Sequence, residues 1–429
     1  MRLSIQFLRS VLLLVTLTFQ VHAEITPTAV TAGTANAGIS TVRGGDARWV
    51  NPALLGISGG PKQSILLPSF GYRLGNSAMK SSEMSKWFRE DRYWTEDERK
   101  SFSSSVKNDF TLNGAFQGGI GYQVNAMSAA IDVIGVLDGS IPGDVIRLAV
   151  LGNESGKNYS LSKLKGGSWV GTSFGVSFAK QLHRIDWAKE FAIGMTAKYI
   201  VGMAYSGLRD TDGSILTSVD PDTVSAHGYI TTATTNNGDG IGIDIGAAAR
   251  MNDRWGWSFS LMNISGRVSW DKVKVRANKF DIEDSGIPID SLTQEGFLER
   301  WANYSSTTLT ESGSVDVALP QTMLIGLDYK VNDYWLTYGS FEQGLNESAT
   351  SIGSTTKTRL ALGSEYTKFD KYPLRAGFAV GGMSGFELAI GGGLRLSNYR
   401  LDVSMNYERG LFYGAKGYGF SLSQQITLR

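Results

Sequence analysis

The last quarter of the chain alternates strictly between apolar and polar residues. Over residues 399–408, and again over 418–428, large apolar side chains occupy every second position. A period of two is the period of a β-strand, so each segment has one apolar and one polar face. Strands of ~10 residues with this pattern build membrane-spanning β-barrels, with lipid outside and a polar lumen inside. A soluble β-sandwich alternates in the same way and is the alternative.

The N-terminus has the three parts of an export signal. A basic start precedes an apolar core over residues 11–19, and Val21-His22-Ala23 is a small-residue cleavage site. The core is too short for a membrane-spanning helix, which takes ~20 residues. We therefore predict a signal peptide over residues 1–23 and a mature chain that begins at Glu24.

The predicted mature chain is close to electrically neutral. Loss of Arg2 and Arg9 leaves 39 of the 41 basic residues, against 40 acidic ones. This balance argues against nucleic acid as a partner. The sequence has no Cys, which excludes disulfides, thiolate metal sites and a lipoprotein anchor.

Composition favours a barrel in the outer membrane of a bacterial cell. The sequence contains 52 Gly, 10 Trp and 17 Tyr but only 9 Pro. Gly leaves room on a curved inner face, and Trp and Tyr favour the two membrane–water interfaces. The alternating segments give about 14 strands, within the range of bacterial barrels. We therefore predict an all-β fold, a closed antiparallel transmembrane β-barrel over residues 57–429, with an N-terminal hatch and short helical insertions in loops.

One strand shows the predicted orientation most clearly. Its large apolar residues should face lipid, and the small residues between them should face the lumen. The lipid-facing set is Trp255, Trp257, Phe259 and Leu261, and the lumen-facing set is Gly256, Ser258 and Ser260.

The predicted connections differ in length, as they do in barrels with short turns on one rim and long loops on the other. Within the long connections, helical patterns occur at 82–89, at 290–301 and at 95–99, where acids follow Thr95 as in a capped helix. We expect these helices to pack on the mouth of the barrel; a lumen plug or a partner contact is the alternative. The long connections are predicted at 76–109, 137–167, 207–222 and 265–320.

A run of small residues at 32–38 is followed by Asn51-Pro52-Ala53 near the N-terminus. This arrangement resembles the N-terminal hatch of FadL-type outer-membrane proteins, and later motifs resemble the same superfamily and its PorV-like branch. The whole order is most similar to uncharacterised barrel proteins of Bacteroidota. Bacterial barrels usually end on an aromatic residue that the insertion machinery reads, and this sequence departs from that pattern by ending with Leu428-Arg429. The later motifs are a recurring strand at 238–247, a Leu-Pro strand start at 319–326 and a strand pair at 362–366 and 373–378.

The resemblance implies a hatch or plug over residues 24–56. This segment alternates nowhere and is rich in Ala, Gly and Thr, so it is a poor strand and a poor helix. Small residues allow close backbone packing inside a lumen, and an Asn before Pro favours a turn. A disordered N-terminal arm is the alternative. The hatch or gating residues that we predict are Gly33, Ala35, Gly38, Asn51, Pro52 and Ala53.

Residues that could support catalysis or metal binding are few. Outside the signal, the only His are His183 and His227, and neither has a companion at metal-ligand spacing. The run 236–240 lacks the spaced carboxylates of a Ca²⁺ loop, so we predict a solvated turn there. We expect no enzyme activity, no cofactor and no metal. The charges predicted to pair within the lumen are Lys198, Arg250, Asp328, Arg359, Glu365, Arg375, Arg395, Arg400 and Asp402.

Three functions remain open. FadL resemblance implies binding or passage of a hydrophobic small molecule that enters from outside, displaces the hatch and leaves sideways or inward. PorV resemblance implies an accessory barrel for protein secretion or surface attachment. A structural envelope barrel is the third. The predicted partners are accordingly membrane lipid and either a hydrophobic ligand or an envelope or secreted protein.

Overall fold

The computed structural model describes residues 28–83, 94–106, 109–152, 154, 156–183, 185–219, 222–288, 305–347 and 352–428. The predicted signal peptide, the first four residues of the predicted hatch and most of the helical patterns at 82–89 and 290–301 lie outside these ranges. None of the described helices is both long enough and apolar enough to span a membrane.

One antiparallel sheet closes on itself to form the barrel. Strand β1 pairs with β2 on one side and with β17, the final strand, on the other. The strands are β1 (Gln63–Asn76), β2 (Asp109–Val124), β3 (Met127–Pro142), β4 (Asn158–Ser160), β5 (Lys165–Leu182), β6 (Glu190–Val219), β7 (Asp222–Thr235), β8 (Asn237–Arg250), β9 (Trp255–Pro288), β10 (Ser305–Ala318), β11 (Thr322–Asn332), β12 (Trp335–Gly344), β13 (Thr358–Tyr366), β14 (Leu374–Gly381), β15 (Gly385–Arg395), β16 (Tyr399–Glu408) and β17 (Gly417–Leu428).

These strands fill 14 positions around the ring, as predicted. Strands β7 and β8 occupy one position, because β7 pairs with the far half of β6 and β8 with its near half. Strands β10 and β11 likewise share one position beside β9. The three-residue β4 adds only to the far end of β6.

The alternating residues point as predicted. On β9, Gly256, Ser258 and Ser260 are buried, whereas Trp255 is 47% exposed. Strand β17 shows the same alternation, with its Gly and Ser residues buried. Large apolar side chains that are exposed in the isolated chain, such as Leu327 and Leu362, form the band that a barrel presents to lipid.

Two regions predicted as long loops are largely strand. Strand β6 continues to Val219 and pairs with β7 from Asp222, and β9 continues to Pro288 beside β10. The prediction was wrong at 207–222 and over much of 265–320 because hydrophobic alternation fades where the strands leave the lipid, while their backbone hydrogen bonds continue. The run at 236–240, predicted as a turn, is also strand from Asn237 onward.

Short helices complete the fold. The capped helix predicted at Thr95 is present, with Thr95 and Glu98 forming a reciprocal capping box. It packs with a second helix in an apolar cluster at the long-loop rim; that second helix was not predicted. The α-helices are α1 (Ala29–Ala32), α2 (Glu96–Ser105) and α3 (Gly143–Leu151), and the 3₁₀ helices are η1 (Gly44–Trp49), η2 (Pro52–Gly56) and η3 (Phe412–Gly414).

Candidate functional site in the barrel lumen

Residues 28–57, here called the luminal segment, lie inside the barrel at the end that carries the short turns. Their polar groups bond to strands all around the wall. Ala29 N donates to Ser423 Oγ of β17 at 2.9 Å, and Arg359 Nη2 of β13 donates to Ala35 O at 2.9 Å. Further bonds join the segment to β3, β8, β9, β12 and β16. The segment therefore spans the lumen from wall to wall.

Asn51 fixes both a turn and a wall contact. Its Oδ1 accepts a hydrogen bond from Ala53 N at 2.9 Å and so caps η2, where Pro52 occupies the first turn. Its Nδ2 donates to the carbonyl oxygens of Ala247 and Phe259, each at 3.0 Å. One side chain thus satisfies the local turn and attaches it to β8 and β9.

Glycines on the wall make room for the segment. A Cβ added to Gly194 would lie 2.5 Å from Ala53 N, and one added to Gly246 would overlap the side chain of Asn51. Across the lumen, a Cβ on Gly363 would lie 2.8 Å from Thr34 Cβ. Because real side chains cannot approach so closely, Gly194 and Gly246 require glycine whenever the segment is seated. A side chain at Gly363 would require Thr34 to shift by a few tenths of an ångström.

The six predicted hatch residues all lie against this wall, but in two separate sectors. Asn51, Pro52 and Ala53 contact β6, β8 and β9. The other three lie near β12–β15: a Cβ on Gly33 would be 3.0 Å from Gly391 Cα, Arg359 binds the carbonyl of Ala35, and a Cβ on Gly38 would be 3.4 Å from the Tyr338 ring. The six residues hold the segment at two places and do not form a single site.

Buried ion pairs join η1 to strands β3 and β16 of the wall. Arg48 Nη2 lies 2.8 Å from Asp132 Oδ1 of β3, and Asp46 pairs with Arg400 of β16. Burial raises the pKa of Asp46, an effect that Arg400 and Arg48 oppose. The sequence reading did not single out Asp46 or Arg48 as site residues, although they are isolated charges in a run of small residues.

The interior charges are paired, as predicted. Asp402 lies at the centre of one network, with its Oδ1 2.8 Å from Arg375 Nη1 and 2.7 Å from Arg395 Nη2, and with Arg400 at its other oxygen. Each of the nine predicted residues has an ionic partner. The charges therefore stabilise the wall and the luminal segment, and do not line an open aqueous pore.

A cavity of about 60 Å³ lies beside η1. Its lining combines aliphatic and aromatic residues with Arg48, Asp132 and Lys198. By the share of ~10–15 Å³ for one water-sized sphere, it has room for a few water molecules, and a ring-sized ligand would need the segment to move outward. Toward the long-loop rim it adjoins an apolar cluster that includes Trp169, Tyr205 and Trp270. The lumen is thus apolar above the segment, and around the segment polar contacts lie beside a second apolar cluster that includes Val50 and Leu54.

Catalytic chemistry receives little support from the described residues. Ser214 Oγ and His227 Nε2 are 3.5 Å apart on the exposed β6–β7 hairpin, and neither residue lines the cavity. Within the described ranges, no group of three or more His, Cys, Asp or Glu is placed to hold a metal ion.

Solved structures with the same barrel are known. A FadL homologue from Pseudomonas aeruginosa aligns with a TM-score of 0.56 at 14% identity, over 96% of this chain and 100% of the homologue. The Ralstonia pickettii toluene transporter TbuX aligns with a TM-score of 0.52 at 11% identity, over 93% and 98%. A deletion mutant of the monoaromatic hydrocarbon channel TodX gives 0.56 at 11%, over 94% and 99%. The chain therefore has the fold of FadL-type outer-membrane barrels.

The sequence itself identifies a narrower group. Residues 60–398 match the family described as a family of unknown function, DUF5723. The chain belongs to this family. No protein with a curated description matches the sequence.

Proposed function

We propose that this protein is a barrel of the bacterial outer membrane that binds and passes a hydrophobic small molecule, with the luminal segment as its movable barrier. The observation that carries the proposal is the position of the segment. It crosses the lumen directly beside a partly apolar cavity, and side-chain bonds hold it there. Neighbours of the same fold include proteins described as a toluene transporter and a monoaromatic hydrocarbon channel.

The contacts of the segment suit a barrier that moves. The barrel strands bond to one another, so the wall does not depend on the segment for its backbone hydrogen bonds. The segment is held by hydrogen bonds, by ion pairs and by an apolar cluster that joins side chains such as Val50 and Leu54 to wall alanines such as Ala192. All of these are side-chain contacts, which can separate without breaking a strand pair. A cavity of about 60 Å³ is too small to be a passage, so transport requires the segment to shift.

The test is a reversible cross-link in a chain that has no native Cys. The Cβ position of Gly363 lies 3.2 Å from Ala37 Cβ, close to the ~3.5–4.5 Å of a disulfide. In the double variant A37C/G363C, oxidation should reduce uptake of the apolar dye N-phenyl-1-naphthylamine to the rate of cells that lack the protein. Dithiothreitol should restore uptake.

The matched control is G56C/A179C, whose Cβ positions are 3.3 Å apart. It anchors the end of the segment that leads into β1, and this end can stay in place while residues 28–50 move. Oxidation of the control pair should leave dye uptake unchanged. If oxidised and reduced A37C/G363C take up dye equally, the transport proposal fails, and capture of a secreted protein by the same barrel would support the accessory role instead.

A further inference from the structure

Three buried N–H groups at the lumen cavity have no acceptor among the described residues. They are Nε1 of Trp49, Nε1 of Trp169 and Nε of Arg48. The three residues are 5%, 1% and 4% exposed, and all three line the cavity. Buried donors without partners are rare in folded proteins because each costs about 1–3 kcal/mol. Three at one cavity indicate a binding site for an acceptor.

Nearby acceptors already have donors. Asp132 Oδ1 accepts from Arg48 Nη2 at 2.8 Å, and Asn263 Oδ1 accepts from Lys198 Nζ at 2.7 Å. The buried unpaired polar atoms of the lining residues are all donors. A pure hydrocarbon would leave these donors without partners.

The charges at the cavity are balanced. Arg48 pairs with Asp132, and Lys198 Nζ lies 2.8 Å from Asp244 Oδ2. An anion would therefore lose its hydration at a site where each cation is already neutralised by a carboxylate. The site favours a neutral acceptor over a carboxylate.

The remaining lining fits a flat apolar body. The rings of Trp49, Phe116 and Trp169 surround the space together with Val136 and Ile200. We propose that the cavity, widened by an outward shift of the luminal segment, binds a small neutral molecule with an aromatic or otherwise apolar body and one oxygen acceptor, such as a ketone, ester or ether. The indole N–H groups bind the oxygen. This inference rests on the proposed function, whose substrate class it narrows.

Three ligands with the same number of heavy atoms distinguish binding of a neutral acceptor from binding of a hydrocarbon or of an anion. Acetophenone is a neutral acceptor, cumene is its hydrocarbon counterpart, and benzoate is an anion of the same shape. Calorimetry on the full barrel in detergent should show acceptor-dependent binding, with acetophenone tighter than either of the others by about three- to ten-fold, the worth of one hydrogen bond.

Variants assign the effect to the indoles. Trp169→Phe keeps a ring and removes the N–H, so it should weaken acetophenone binding by about three- to ten-fold and leave cumene binding unchanged. Trp49→Phe tests the second donor independently. Trp335→Phe is the control, because Trp335 is 45% exposed at the short-turn rim and its Nε1 bonds to Ser364 Oγ.

The inference is overturned if cumene or benzoate binds as tightly as acetophenone, if none of the probes binds, or if both indole variants leave acetophenone affinity unchanged. The last result would mean that water molecules accept the hydrogen bonds of the indole N–H groups. None of these results depends on the dye-uptake experiment, so the transport proposal can stand while this inference fails.

Discussion

The two halves of the lumen are built differently. Around the luminal segment, wall glycines and alanines allow close packing, and hydrogen bonds and ion pairs such as Arg48–Asp132 hold the chain to the wall. Toward the long-loop rim, the interior is a cluster of aliphatic and aromatic residues that includes Trp169 and Trp270. Polar contacts can be exchanged for water at small net cost, whereas apolar surface binds apolar ligands. Under the proposed function, the luminal segment is the part that moves, and the apolar lumen beside it supplies affinity for the ligand.

The largest effect should come from the charge network at Asp402. Asp402→Asn leaves Arg375, Arg395 and Arg400 clustered without their central carboxylate. Loss of one partner from a buried network costs about 3–5 kcal/mol. The temperature at which the folded band disappears in heat-modifiability gels should fall sharply. Asp333→Asn is the control, since its exposed pair with Lys330 contributes little; equal shifts would contradict the assignment.

A middle-sized effect should follow from filling a wall glycine. Gly246→Val would displace Asn51 and cost about 1–3 kcal/mol of overpacking. We expect higher conductance in planar bilayers and faster proteolysis of the segment. Gly339→Val is the control, because a Cβ at Gly339 has its nearest contact at 3.6 Å. Unchanged conductance in Gly246→Val would show that the segment does not close the lumen.

The smallest effect should be the response to pH through Asp46. Burial raises the pKa of this carboxyl in the docked segment, so docking favours the protonated form. Docking should therefore be tightest in acid and weaken as the pH rises through the raised pKa. Asp46→Asn should remove this dependence without releasing the segment, since Arg48 keeps its ion pair with Asp132 of the wall. Conductance measured across the acidic pH range tests this prediction, because tighter docking should lower the conductance. A conductance that rises on acidification would contradict it.

The sequence predicted the wall well because burial imposes a period of two on every strand. Trp255 and Ser258 lie on the predicted faces for this reason, and the interior charges pair because an unpaired buried charge is too costly. The hatch residues were found through their resemblance to a family motif, and the structure shows what they touch. Their role in gating stays a prediction.

Other features depend on contacts between distant parts of the chain. Arg48 and Asp132 are 84 positions apart, and Asp46 and Arg400 are 354 apart, so no local pattern marks them as partners. The unpaired indoles of Trp49 and Trp169 could not be predicted either, because a Trp in sequence carries no sign of whether its N–H finds an acceptor. The polar hairpins that extend beyond the membrane were missed for a related reason, because their strand pairing leaves no hydrophobic alternation in the sequence.

The position of η1 has a consequence for how the barrel is assembled. Its first residues contact Gln425 of β17 and Leu66 of β1, the two strands that join the ends of the chain, and its charges reach β16 and β3 on either side. The helix η1 therefore bridges β1 and β17, the two strands whose pairing closes the barrel. Because η1 contacts both strands of the closing pair, seating the segment adds to the stability of that pair, although the backbone hydrogen bonds of the pair form without it.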